Sequence, residues 1–306
     1  MLRAEPDWFA ISIAGSKRVR WDIDRDVVRA RAADPLRRCL PDALSGAGEL
    51  GFLSEREQVL LSRVQARTYA RVAGAADRLV ALHAWQARGL GASGEPAIEA
   101  FVRMVDEKLK HRDLFQRLAA QLEVQLPPGA VFALNRACAQ EVLSTPRWAQ
   151  LALALHAQLS AQAHYRAAVT AGHALCPLWA DVFLFHWKEE AQHAMLVEMA
   201  WRREDDRLGP ENREAALGRL AQLFDRFARR LEREAAADAD CFLRAAGRMF
   251  TWRERLAVRE CFQDAYRHQH VTQGLEEPRF AAALGSLLTA AQLQAWNARG
   301  THPGRD

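Results

Sequence analysis

Long runs of strong helix formers, several of them headed by a proline or a capping box, constrain this chain more than any other feature. Pro96, Pro146 and Pro177 stand at the heads of such runs, where the missing N–H costs little because first-turn donors have no partner within the helix. Ser54-Glu55-Arg56-Glu57 opens another run, since the serine hydroxyl can cap the first turn while the glutamate reaches back. The pattern predicts helices over about 54–87, 96–122, 131–143, 146–171, 177–208, 211–248, 251–272 and 279–298, with breaks at Gly89–Gly94, Pro127–Gly129 and Gly209-Pro210. Only 17 glycines and 11 prolines occur in 306 residues, without clusters of β-branched residues, which argues against a β-sandwich. The expected fold class is all-α, a four-helix bundle with additional flanking helices. Residues 1–50, with Pro6, Pro35, Pro41 and a strand-like stretch at 18–23, read as an irregular N-terminal wrap. Residues 51–299 read as the helical domain and 300–306 as a C-terminal tail.

Half of the residues are hydrophobic and 26% are charged, enough apolar surface for a sizeable core. The net charge of +4 is spread along the chain, and the cluster Arg226-Phe227-Ala228-Arg229-Arg230 is flanked by Asp225, Glu232 and Glu234. That is the pattern of a solvated helix face, so nucleic acid is not expected as a partner. Cys39, Cys138, Cys176, Cys241 and Cys261 are scattered without a CxxC pair, which indicates neither a disulfide framework nor a thiolate metal site. The first residues do not form a signal-peptide pattern, and no apolar run approaches the ~18 residues a membrane span needs. A cytoplasmic location without a membrane partner is the expectation.

At ~100° per residue, His186, Glu190 and His193 fall within ~60° of one another on a helix. Their stripe also carries Trp179, Val182, Phe183 and Val197, so three polar groups lie in the middle of an inward-facing surface. Burying them without partners would be costly, and the H-x-x-x-E-x-x-H spacing points to a metal or catalytic site. In the helix after Pro96 the inward arc reads as Ile98, Phe101, Val102, Val105, Leu109, Phe115 and Leu118. Lys108 lies between Phe101 and Phe115 on that wheel, His111 sits beside Met104 and Leu118, and Glu107 lies at the rim. A lysine so placed either snorkels outward or needs a negative partner. Asp77 shares a face with Ala66, Ala70, Ala73 and Val80, small residues that let another helix come close. Gln158 shares one with Leu151, Leu155, Gln162 and Tyr165.

Four helices that each point polar groups inward resemble the ferritin-like non-haem di-iron proteins. The stretch Asp181-Val-Phe-Leu-Phe-His-Trp-Lys-Glu-Glu-Ala-Gln-His193 resembles the extra-histidine motif of the p-aminobenzoate N-oxygenase group of di-iron oxygenases. Gln65-Ala-Arg-Thr-Tyr69, Asp106-Glu-Lys-Leu-Lys-His111, Gln162-Ala-His-Tyr-Arg166 and Ala265-Tyr-Arg-His-Gln269 are similar to further stretches of ferritin-like relatives. The resemblance spans about residues 18 to 290. By the family's pattern, Asp77 stands where the first helix offers Glu, Lys108-x-x-His111 stands for Glu-x-x-His, and Gln158 stands for the third-helix Glu. Glu190 and the histidines His111, His186 and His193 are unchanged.

The resemblance implies an iron-dependent oxidase or oxygenase that uses dioxygen on a small organic substrate such as an amine. The substitutions alter that implication. Two divalent irons are normally balanced by four carboxylates, whereas Asp77 and Glu190 are two, offset by Lys108. One iron per chain, held by His111, His186, Glu190 and His193 with Asp77, is therefore favoured over two, with Glu190 central, and Tyr165 and Trp187 nearby read either as redox side chains or as core packing. The alternative is a metal-free pseudoenzyme or partner subunit of a biosynthetic pathway, in which the Lys108 ammonium takes the metal's place between Glu190 and Asp77. A homodimer is compatible with such a bundle.

Overall fold

A computed structural model describes residues 7–87, 95–129, 132, 135–170 and 174–298. Among these residues it is all-helical, with no strand. The helices are α1 (Trp8–Arg18), α2 (Asp42–Ser45), α3 (Glu55–Ala87), α4 (Glu95–Gln125), α5 (Arg136–Leu143) and α6 (Arg147–Tyr165). They continue as α7 (Pro177–Asp205), α8 (Pro210–Ala245), α9 (Trp252–Arg267), α10 (Gln273–Leu275), α11 (Pro278–Leu287) and α12 (Ala290–Ala298). The expected break at 127–129 is observed and the next ends at Gly209, with Pro210 the first residue of α8, whereas the Gly89–Gly94 break and the 300–306 tail lie outside the described residues.

The capping box opens α3 as the sequence predicts. Glu57 Oε2 accepts from Ser54 N at 2.8 Å, and Glu57 N donates back to Ser54 Oγ at 3.4 Å. α3 pairs with α4 and α6 with α7, and contacts from α4 to α7 and from α3 to α6 close a four-helix core. α8 lies against α3, α6 and α9. A buried network fixes that junction: Arg67 and Thr68 of α3 donate to Asp238 of α8, which also accepts from Tyr266 of α9 at 2.6 Å. The fully buried Asp238 carboxylate thereby accepts from three buried side chains.

Three expectations are corrected. The N-terminal wrap is not wholly irregular: Asp7 Oδ1 accepts from Phe9 N and Ala10 N, both at 3.1 Å, and starts α1, which packs on α4 and α7. Its isoleucines, aromatic residues and Gly15 are weak helix formers, so packing rather than propensity makes this helix. The strand-like stretch at 18–23 has no ladder partner and forms the end of α1, a short extended link and a π-helical turn at Ile23–Val28. The pattern at 279–298 divides into α11 and α12 because Thr289 starts a new cap, with Gln292 N donating to Thr289 Oγ1 at 3.3 Å and Thr289 N to Gln292 Oε1 at 3.1 Å.

Among the described residues, no helix is long and apolar enough to cross a membrane.

Candidate functional site

The inward faces of α3, α4 and α7 meet at a buried polar cluster. α4 is rotated relative to the sequence reading. Ile98, Val102 and Leu109 are exposed, and the buried face runs through Ala97, Phe101, Met104, Glu107, Lys108, His111, Leu114 and Phe115. The arc therefore centres on polar residues, which a purely hydrophobic wheel discards. Glu107, read as a rim residue, is buried in consequence.

Lys108 does not snorkel. It is 1% exposed, and its ammonium donates to Asp77 Oδ1 at 2.7 Å and to Glu190 Oε1 and Oε2 at 2.7 and 2.9 Å. All three of its protons have a carboxylate oxygen within reach. Burial works against the ammonium, but Asp77 and Glu190 outweigh it and hold its pKa above the usual lysine value. Burial likewise opposes the carboxylate charges, yet the Lys108 ammonium, helped by the neighbouring histidines, brings Asp77 below the ordinary range and Glu190 well below it.

The histidines surround this pair. His193 Nδ1 donates to Glu190 Oε1 at 3.2 Å and Nε2 to Glu107 Oε2 at 2.6 Å. His111 Nε2 donates to Glu189 Oε2 at 2.7 Å, while its Nδ1 lies 3.2 Å from Glu190 Oε1. Both rings thus turn Nδ1 toward Glu190 and anchor Nε2 on an outer carboxylate, the support that ligating histidines commonly receive. His186 Nε2 lies 3.3 Å from Glu190 Oε1 and 3.5 Å from Asp77 Oδ2 without the alignment of a hydrogen bond, so it and Asp77 Oδ2 are unpartnered. Burial opposes charge on His186, but Glu190 and Asp77 push its pKa up to about 9. His193 is raised against burial by Glu107 and Glu190, and Glu107 is lowered to about 2 as the bond to His193 overcomes its desolvation.

Glu189 is the site residue that the sequence reading missed. It is fully buried and accepts from Lys110 Nζ at 2.6 Å as well as from His111. Its signal was present in the Glu189-Glu190 doublet on a histidine-bearing stripe. Trp21, from the N-terminal segment, closes this side by stacking on His111 at 5.9 Å with Lys110 over its ring. With Glu189 and Glu107 included, four carboxylates face Lys108, Lys110 and two histidines of raised pKa, so the cluster balances its own charge.

Asp77, Lys108, His111, His186, Glu190 and His193 are thus brought together, but two other expected residues stand apart. Gln158 is buried with neither amide atom hydrogen-bonded, and Tyr165 stacks on Trp187 at 4.9 Å outside the cluster's ion pairs. Asp77, His111, His186 and Glu190 present ligand atoms within 4.8 Å of one another, a spacing that a metal ion could use. The Lys108 ammonium, however, already bridges the two carboxylates that such an ion would need, and an ion there would meet its charge at close range. The residues as arranged do not fit a di-iron centre, and a single ion would require Lys108 to withdraw.

A cavity of about 220 Å³ reaches the cluster between α3, α6 and α8. Val72, Val80, Leu153, Leu223 and Phe227 line its apolar walls. Asp77, Lys108, His186 and Glu190 form one charged end, Glu141 of α5 and Arg226 and Arg230 of α8 also line the cavity, and Tyr69 and His270 lie along its side. His270 comes from a π-helical turn, His268–Thr272, that continues α9. Its Nε2 is unpartnered, and burial lowers its pKa to about 3, which keeps the ring neutral. Compared with protein-family models and with curated proteins, the chain matches none.

Proposed function

We propose that this chain is a ferritin-like bundle of N-oxygenase ancestry that works without a metal, as a cytoplasmic small-molecule-binding pseudoenzyme or partner subunit. The observation that carries this reading is the Lys108 ammonium lying within 2.9 Å of three carboxylate oxygens of Asp77 and Glu190. A fixed ammonium supplies the positive charge that holds two inward carboxylates together, so the bundle keeps its polar centre without a cofactor. Glu107 and Glu189 hold His193 and His111 by their outer nitrogens, which orients both rings toward Glu190. The apolar cavity next to the cluster supports a binding role.

A second reading rests on the four ligand atoms within 4.8 Å of one another. In it Lys108 withdraws, and Asp77, His111, His186 and Glu190 hold one iron, which would supply dioxygen activation toward a small organic substrate such as an amine. Tyr165 as a redox residue belongs to this reading.

Iron content after anaerobic reconstitution with ferrous iron, measured for the native protein, His186→Ala and Lys108→Glu, separates the two. The metal-free reading expects negligible iron in the native protein and a gain in Lys108→Glu. About one iron per native chain, lost in His186→Ala, would overturn it in favour of the second reading.

A further inference from the structure

We propose that the cavity beside Lys108 takes a neutral, largely apolar molecule of roughly ten to fourteen non-hydrogen atoms, with one polar group that both donates and accepts a hydrogen bond, such as an aromatic alcohol. The inference rests on the reading that Lys108 holds the centre, and it adds the chemical class of the ligand.

Size comes from the volume of the cavity. An apolar cavity of about 150 Å³ accommodates benzene, so the 220 Å³ present here suits a body about the size of two fused rings. The character of the head comes from the charged end. Lys108 spends its protons on Asp77 and Glu190, and Glu190 is further engaged by His193. The charges of His186 and Asp77 face each other at 3.5 Å, so a charged head would leave water for an end with no net charge to offset it. Two atoms at that end remain unpartnered, Asp77 Oδ2 and His186 Nε2, on residues 5% and 3% exposed. They lie 3.5 Å apart, so one hydroxyl oxygen can sit at about 2.8 Å from both, donating to the carboxylate and accepting from the imidazole. Water could satisfy the same two atoms, but it would leave Val72, Val80 and Leu153 unfilled beside it.

Binding of 1-naphthol, its near-isostere 1-methylnaphthalene and the anion 1-naphthoate to the native full-length protein, measured by equilibrium dialysis, tests this. The expected result is that 1-naphthol binds at least tenfold more tightly than either of the others. Ala157→Trp, which fills the cavity from α6, is expected to abolish binding while far-UV circular dichroism stays native. Equal binding of the three probes, tighter binding of naphthoate or methylnaphthalene, or no binding of any would overturn the proposal, and the probe comparison needs no variant. Iron content of the same samples keeps the two claims apart. Iron-free protein without a naphthol preference overturns only the ligand class, whereas about one iron per chain overturns the reading of Lys108 beneath it.

Discussion

Replacing Lys108 by methionine removes the ammonium while keeping a flexible side chain of similar length. At about 3 Å and an effective dielectric near 20, each carboxylate attracts the ammonium by about 5 kcal/mol. Desolvation of the three ions, several kcal/mol each, offsets most of this, so the intact group contributes little net stability. Removing one partner is different, because Asp77 and Glu190 then remain buried beside each other with only the histidines to oppose their charge. The expected loss is about 3–5 kcal/mol, or roughly 6–20 °C in melting temperature. The sign of the pH dependence follows. In the native protein both carboxylates have depressed pKa values, so their contribution is present above about pH 4 and is lost as pH falls. Lys108 itself is raised, so its contribution is lost only as pH rises above about 10.5. In Lys108→Met the carboxylates are expected to shift upward, and their neutral forms then favour the fold at low pH. The deficit relative to native should be largest near pH 7.5 and shrink toward pH 5. Urea unfolding followed by far-UV circular dichroism at both pH values measures it. A variant within ~0.5 kcal/mol of native at both pH values would mean that Lys108 does not offset the two buried carboxylates.

Four further outcomes are expected. Because Glu107 is lowered to about 2, native stability should fall as pH drops from about 4.5 toward 2, and Glu107→Gln should flatten that decline in acid titrations of folding. Asp238→Ala leaves the Arg67 guanidinium buried without its carboxylate and should cost about 3–5 kcal/mol, against about 1–2 kcal/mol for Tyr266→Phe, as measured by chemical denaturation. A Cβ at Gly274 would run into His156 Nε2, the atom that donates to the Val271 carbonyl, so Gly274→Ala should lower thermal stability by about 1–3 kcal/mol. Thr251→Ala removes the capping box of α9 and should cost about 1 kcal/mol in the same assay.

Helix-start chemistry was the most legible layer of the sequence. Ser54 and the prolines at 96, 146 and 177 mark the starts of α3, α4, α6 and α7 to within a residue or two. The stripe on α7 was equally readable, because Trp179, Val182 and Phe183 fix its orientation around His186, Glu190 and His193. α4 was harder. Its true face centres on Glu107, Lys108 and His111, so the exposed Ile98, Val102 and Leu109 drew the apolar arc toward solvent and left Glu107 at the edge. The environment of Lys108 likewise depended on Asp77 and Glu190, distant in sequence, and no single-helix pattern distinguishes snorkelling from burial. α1 escaped because its helix rests on the Asp7 cap and on packing against α4 and α7 rather than on residue propensity.

The Lys108 ammonium fills the space between Asp77 and Glu190 that a metal ion would need. Anomalous diffraction at the iron absorption edge, from crystals soaked anaerobically in ferrous iron, addresses that space directly. The expected map has no peak among Asp77, His111, His186 and Glu190, and continuous density for Lys108 ending between the two carboxylates. A strong anomalous peak there, with the lysine side chain displaced, would contradict the account.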